Sequence, residues 1–291
     1  MGKKIAVKKT ALILYFSFAF YIYPVYSNFQ LAHKYLRYYF TASNGKGHGM
    51  HSPFVFDFIL NVLNDKKQYT AYAVVEKLRQ DLLNDTRELI IRDFGAGSAT
   101  DKSNRRKISS VAGNAAKPKK YGQLLHRMVK YYAPETILEL GTSLGITASY
   151  LSLGKPASRV ITMEGSPAIA SAAAENFKKL QLQNIEIVEG NFDDTLAPLI
   201  QNLSTIGFAF LDGNHRMQPT IQYFNTILNK INNNSIIVID DIHWSGDMEQ
   251  AWQIIKNHVS VKCSVDLFFI GIIFFREEFY EKRISQYGSE C

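Results

Sequence analysis

The sequence predicts an α/β fold: a doubly wound, mostly parallel sheet of seven strands with helices on both faces. Three observations carry that prediction. From Tyr121 onward, short apolar runs alternate with longer amphipathic ones at the spacing of strand–helix–strand units. The short runs are apolar throughout, as strands buried on both faces must be. They also end on acidic residues, which places a polar rim at the carboxyl ends of the strands. A mainly helical extension precedes this core.

The chain has 291 residues, enough for one large domain with an appendage. Hydrophobic residues make up 46% and charged residues 20%, which excludes a disordered chain. Net charge is +7, with basic residues gathered at Lys3–Lys9 and Lys102–Lys120. Such a run is read as a solvated face. No basic–aromatic recognition module accompanies it, so nucleic acid is not favoured as a partner. Cys263 and Cys291 cannot build a disulfide framework and have no metal-binding spacing. Their usage fits a reducing, cytoplasmic setting.

Residues 1–28 stand apart. A basic start leads into the apolar stretch Ala11–Tyr26, broken by Ser17 and Pro24. It is read three ways: a signal-like segment, an anchor, or a wrongly assigned start. Membrane association, if any, runs through residues 10–27, which are short against the roughly 20 apolar residues of a span. Residues 29–120 are read as a mainly helical cap or lid. Phe29–Phe40 is an aromatic helix. Thr41–Ser52 is a glycine-rich loop carrying His48 and His51, read as a helix entry and not as a metal pair. Phe54–Leu63 and Thr70–Asn84 are further helices. Leu89–Ser98 imitates a strand with a glycine loop. Thr100–Lys120 then reads as polar and basic, with no apolar helix and no second strand, hence as a mobile loop.

Residues 121–280 form the regular part. Tyr121–Tyr132 is a helix, and Ile137–Leu140 the first strand. Ile146–Leu153 is a helix stopped near Gly154 and Pro156. Arg159–Met163 is a strand closing on Glu164. Ser166 caps the helix to Lys179, with Pro167 at its first position. Ile185–Val188 is the third strand and Thr195–Leu203 a short helix. Gly207–Leu211 and Ser235–Ile239 are strands, each followed by an amphipathic helix. Val261–Phe275 supplies a last strand or a closing hairpin, and residues 281–291 a tail.

Thr136–Gly145 organises this core. A buried strand meets an acid, then a Gly-x-x-x-Gly loop opens a helix. Glycines there allow positive φ and close ligand approach. The helix that follows presents free N–H groups. The acids Glu139, Glu164, Asp212, Asp240 and Asp241 fall at strand ends. Glu164 comes about 20 residues after Gly141, where an acid accepts ribose hydroxyls. Gly141 and Gly145 lack the Gly-x-Gly-x-x-Gly spacing of a pyrophosphate site. A cofactor without a pyrophosphate is therefore expected.

Glu-Leu-Gly-Thr-Ser-Leu-Gly, with the acid at Glu164, resembles the first two motifs of class I S-adenosylmethionine-dependent methyltransferases. Tyr-Gly-Gln-Leu-Leu at 121–125 resembles the preceding helix in the caffeoyl-CoA and catechol O-methyltransferase branch. Phe-Leu-Asp-Gly-Asn-His at 210–215 and Ile-Asp-Asp-Ile-His-Trp-Ser-Gly at 239–246 resemble two later segments of that branch. The likeness covers a little over half of the chain and implies a Rossmann-like sheet. It implies that Gly141, Thr142, Ser143 and Gly145 line the methionine part of S-adenosylmethionine, with Glu139 beneath. Glu164, with Gly165 after it, would hold the ribose. Asn191 and Phe192 would border the adenine, and Asp212 would lie near the sulfonium. A divalent cation such as Mg²⁺ would be held by Asp212, Asp240 and Asp241. His215 stands where the branch has a lysine base, and Asp241 where it has an amide. His215, Asp212 and His243 are thus the candidate catalytic residues, with Trp244 beside them. The expected function is methyl transfer to a small-molecule acceptor, on oxygen, by direct displacement. The alternatives are a nicotinamide-dependent oxidoreductase and a non-catalytic, membrane-associated binding protein.

Overall fold

The computed structural model describes residues 25–44, 53–91, 105–115, 118–277 and 283–288. The expected apolar segment up to residue 24, His48, His51 and the lookalike Asp93–Ser98 lie outside them.

Helix α1 (Asn28–Thr41) starts on a capping box: Ser27 Oγ accepts from Gln30 N, and Gln30 Oε1 accepts from Ser27 N. A two-residue strand, β1 (Ser43–Asn44), follows. Helix α2 (Pro53–Phe58) opens on proline, which needs no amide partner there, and runs on as a π-helical turn over Ile59–Leu63. Helix α3 (Thr70–Leu83) comes next. Then β2 (Glu88–Ile90) pairs antiparallel with β3 (Arg105–Lys107), and α4 (Ile108–Ala115) follows.

Strand β3 and helix α4 correct the reading of Thr100–Lys120 as lacking a second strand and an apolar helix. Ile108, Val111 and Ala112 are buried on one face of α4. Ser109 and Ser110 stand between them and Gly113 follows, small residues that dilute the apolar signal without obstructing the packing.

The core then proceeds as α5 (Lys119–Tyr132), β4 (Thr136–Leu140), α6 (Ile146–Gly154), β5 (Arg159–Glu164), α7 (Pro167–Lys179) and β6 (Ile185–Glu189). It continues with α8 (Phe192–Gln201), β7 (Phe208–Leu211), α9 (Met217–Leu228), β8 (Ile236–Asp240), α10 (Gly246–Lys256), β9 (Cys263–Asp266) and β10 (Ile270–Phe274). Seven of these strands lie in the order β6-β5-β4-β7-β8-β10-β9. The first five are parallel, and β10 runs antiparallel to both β8 and β9. Val261–Phe275 thus forms the closing hairpin. Residues 283–288, read as part of a tail, form β11 (Arg283–Gly288) along β9, and β1 pairs with β11, which extends the sheet to nine strands.

Successive residues of each strand enter opposite layers. Ile137, Phe208, Phe210 and Val238 pack with Met128 of α5 and with Phe58 and Val62. Leu138, Leu140, Ala209 and Ile237 pack with Tyr223 and Phe224 of α9 and Trp252 of α10. A third cluster joins Tyr72, Val75 and Leu78 of α3 and Ile108 of α4 to Tyr150 of α6 and Ile169 of α7. Each fully buried side chain of this size contributes about 1.5–3 kcal/mol, so α3 and α4 are integral to the body beside the rim. Among the described residues no helix is long and apolar enough to cross a membrane. Val25 bridges Ser245, and Tyr26 N donates to the Trp244 carbonyl at 3.1 Å, which docks the chain entering α1 onto the segment after β8.

Candidate active site

Strand order reverses at β4, which lies between β5 and β7. The carboxyl ends of strands around such a point form a ligand crevice. The loop Gly141–Gly145 occupies that crevice. The Gly141 and Thr142 amides donate to the Met163 carbonyl, both at 3.0 Å, which ties the loop to β5. Gly141 has φ +104, and a Cβ there would come within 2.0 Å of the Asp212 carbonyl oxygen. Only glycine lets the loop pass this close to the end of β7.

Beneath the loop, Glu139 is fully buried. Its Oε2 accepts from Thr162 Oγ1, which is itself paired with Thr142 Oγ1 at 2.6 Å. Its Oε1 has no hydrogen-bond partner among the described residues. Burial raises its pKa well above the carboxylate range, and the Thr162 bond only partly opposes this. Glu139 thus braces Thr142 through Thr162 and is not among the residues lining the cavity described below.

Glu164 follows β5. Its Oε2 accepts from the Ser143 amide at 3.0 Å and its Oε1 from the Ser166 amide at 2.9 Å. Ser143 holds φ +47, so this bond fixes a left-handed residue in the middle of the loop. Ser166 takes the cap position of α7 by place, but its side chain makes no cap bond to that helix. Gly165 lies between, half-buried. Asn191 caps α8 by accepting from the Asp193 amide at 3.3 Å. Phe192 packs edge-on against Tyr223 and faces Gly213, where a Cβ would meet its ring at 2.6 Å. Phe192 thus packs against the turn after β7, and neither Asn191 nor Phe192 is among the residues lining the cavity described below.

A cavity opens at the loop. It is lined by the loop residues Gly141, Thr142, Ser143 and Leu144 and the β7-end Asp212. Gly122 of α5, Thr147 and Tyr150 of α6, Arg79 of α3 and Ala112 of α4 line it as well. Sequence reasoning missed Arg79, Ala112 and Tyr150 as cavity residues. The only signal for Arg79 was its pairing with Glu76 one helical turn earlier, which is common on exposed helix faces.

The turn after β7 carries the candidate base. His215 Nε2 lies 3.4 Å from Asp212 Oδ1, and its ring meets Trp244 edge-on at 5.6 Å. Asn214 and His215 both have positive φ, at 68° and 25°. Asn214 Nδ2 donates to the Tyr223 hydroxyl at 3.0 Å, which donates to Asp193 at 2.7 Å, and this chain anchors the strained turn. Asp212, His215 and Asp240 bring one ligand atom each within 4.8 Å of one another. Asp241, expected as the third metal ligand, is not in this group; it has φ +53 and begins the turn to Trp244. His215 is the third member of the group.

His243 is engaged elsewhere. Its Nδ1 pairs with Glu249 at 2.9 Å and its Nε2 with Asp266 at 3.0 Å, while its ring stacks on Phe268. Burial disfavours its charge, but the two carboxylates outweigh that and raise its pKa to about 9. With both nitrogens held, His243 is a charged structural tie and not a base in this arrangement.

Residues 138–242 match the family model described as a methyltransferase domain. An O-methyltransferase (imqG) of Aspergillus flavus is 30% identical over 134 residues, covering 44% of this chain and 53% of that one. A tRNA (guanine-N(7)-)-methyltransferase of Mycoplasma mobile is 35% identical over 79 residues, covering 27% of this chain and 39% of that one. The chain spans about half the length of the curated relatives it matches. The crystal structure of the SAH-bound Podospora anserina methyltransferase PaMTH1 matches with a TM-score of 0.54 at 15% identity, covering 74% of this chain and 91% of that one. The chain thus shares the class I methyltransferase fold, and its core carries the methyltransferase-domain signature.

Proposed function

We propose that the protein transfers a methyl group from S-adenosylmethionine to a hydroxyl oxygen of a small molecule. One observation carries this most strongly. The loop Gly141–Gly145 is pressed against the end of β7 and locked to Glu164 through the Ser143 amide, directly below an open cavity. A carboxylate offers about four acceptor sites, enough for the Ser143 and Ser166 amides and a pair of ribose hydroxyls. Gly141, Thr142 and Ser143 then face the amino-acid end of the donor, and Asn191 and Phe192 its base. When bound, the donor supplies a methyl group already activated as a sulfonium. What the chain supplies is alignment and a site for the acceptor's proton. His215 takes that proton on Nε2, and Asp212 beside it stabilises the resulting imidazolium.

A second reading of the same cluster is favoured by its compactness. Asp212, His215 and Asp240 suit a divalent cation, and a donor set of two carboxylates and one imidazole fits Mn²⁺, Fe²⁺ or Zn²⁺ better than Mg²⁺. A cation there would lower the pKa of an acceptor hydroxyl. A cytoplasmic location belongs to this proposal, and cell fractionation checks it.

The test is calorimetric titration with S-adenosylhomocysteine and, separately, with NAD, followed by transfer of labelled methyl to a panel of hydroxylated small molecules and to tRNA. Micromolar binding of S-adenosylhomocysteine with label appearing in a small molecule is expected. Binding of NAD alone, or label in tRNA alone, would overturn it.

A further inference from the structure

Arg79 is the cation in the cavity wall, and it comes from the helical region ahead of the catalytic core. Its side chain is 12% exposed. Glu76 holds Nε at 3.2 Å (Oε1) and 3.1 Å (Oε2), and Glu76 in turn accepts from the Tyr150 hydroxyl at 2.8 Å. Tyr150 belongs to α6, the helix that the cofactor loop opens, so the guanidinium is held in register with that loop. Burial, reinforced by the Glu76 bond, raises the Tyr150 pKa and keeps its hydroxyl a donor. The two terminal nitrogens of Arg79 have no acceptor among the described residues. A guanidinium presents a planar fork that matches a carboxylate. Asp212 lines the same cavity. A pocket lined by one cation and one carboxylate is matched by a zwitterion.

We infer that Arg79 clamps the α-carboxylate of the methyl donor's amino-acid end, so that the N-terminal region completes the cofactor site. This rests on the S-adenosylmethionine reading above. The donor is preferred over a carboxylate on the acceptor because the cavity that Arg79 shares is walled by Gly141–Leu144, the loop assigned to the donor. Arg79 on this view is a binding residue contributed from outside the methyltransferase core, which matches only residues 138–242.

The test compares two ligands on the full chain. S-adenosylhomocysteine keeps the amino acid; 5′-methylthioadenosine keeps the nucleoside and thioether but lacks the carboxylate. Losing a charge-assisted clamp corresponds to about a tenfold to hundredfold change in affinity. Arg79→Gln is expected to weaken S-adenosylhomocysteine by that factor and leave 5′-methylthioadenosine within about twofold. Arg79→Lys should recover part of the preference, since charge remains and the fork is lost. Because the readout is a ratio within one variant, a general loss of stability does not imitate it. Equal loss of both ligands, or an unchanged ratio with only the acceptor KM raised, would overturn the inference. If the wild type binds 5′-methylthioadenosine and S-adenosylhomocysteine equally, the carboxylate is unrecognised and the inference alone falls. If it binds neither, the donor assignment itself falls, and this inference with it.

Discussion

His243 Nε2 and Asp266 Oδ2 lie 3.0 Å apart, across the gap between the turn after β8 and the end of β9. The Trp252 indole donates to the same carboxylate oxygen at 3.1 Å, and Glu249 holds the other imidazole nitrogen. Glu249 also binds Lys34 at 3.0 Å and the Tyr26 hydroxyl at 2.9 Å. One half-buried imidazolium therefore joins the antiparallel hairpin and α10, and through Glu249 the N-terminal helix.

This network sets a pH dependence of stability. The folded-state pKa of His243 is raised to about 9 from 6.5, so its contribution is complete below pH 6.5 and lost as pH rises through 9. Burial opposes the charge of Glu249, but His243 and Lys34 lower its pKa to about 2 from 4.5. Its contribution is complete above pH 4.5 and lost as pH falls through 2. Stability from this pair is thus greatest between pH 4.5 and 6.5. The histidine part is on the order of 3 kcal/mol at most. Urea unfolding of the wild type and His243→Gln should show a gap that is large at pH 6 and small near pH 10. A gap independent of pH would contradict the assignment.

Two glycines should respond in opposite ways to alanine. Gly141→Ala places a Cβ 2.0 Å from a backbone oxygen at φ +104, with no flexible side chain to yield. Loss of S-adenosylhomocysteine binding and a lower melting temperature are expected. Gly113→Ala in α4 meets only the Leu83 side chain at 3.9 Å. Helix propensity then favours alanine by up to about 1 kcal/mol. Thermal denaturation that ranks the two the other way would sink this account.

Glu164→Gln should weaken both S-adenosylhomocysteine and 5′-methylthioadenosine. An amide nitrogen must then face either the Ser143 or the Ser166 N–H, two donors in opposition. The ribose is common to both ligands, so the loss should exceed about tenfold for each. A loss confined to S-adenosylhomocysteine would move Glu164 away from the ribose.

The strand–helix alternation and the cofactor loop were legible because both depend on local pattern. Apolar runs mark β4, β5, β7 and β8, and glycine spacing marks the turn at Gly141–Gly145. What was not legible depends on partners far apart in sequence. His243 reads as a free rim histidine until Asp266 folds back against it. His215 and not Asp241 is grouped with Asp212 and Asp240, and both residues sit in left-handed turns that composition does not reveal. Arg79 looks like any helix-surface cation until Tyr150, 71 positions on, fixes its partner Glu76. Helix α4 was hidden because small residues replaced the expected apolar ones.

The cluster of Asp212, His215 and Asp240 gives the last prediction. His215→Ala should lower kcat by about 10²–10⁴, the usual range for a lost general base. Affinity for S-adenosylhomocysteine should stay within about twofold, because the proposed function gives His215 the acceptor's proton and no contact with the donor. Asp240 is fully buried at the end of β8, so Asp240→Asn retains its volume and removes its charge. If the cluster binds a cation, chelation and Asp240→Asn abolish turnover alike, and added Mn²⁺ raises the melting temperature of the wild type but not of Asp240→Asn. If His215 acts alone as base, chelation leaves turnover intact while His215→Ala does not. Full activity of both variants after chelation would remove the cluster from the chemistry and return the proton to solvent.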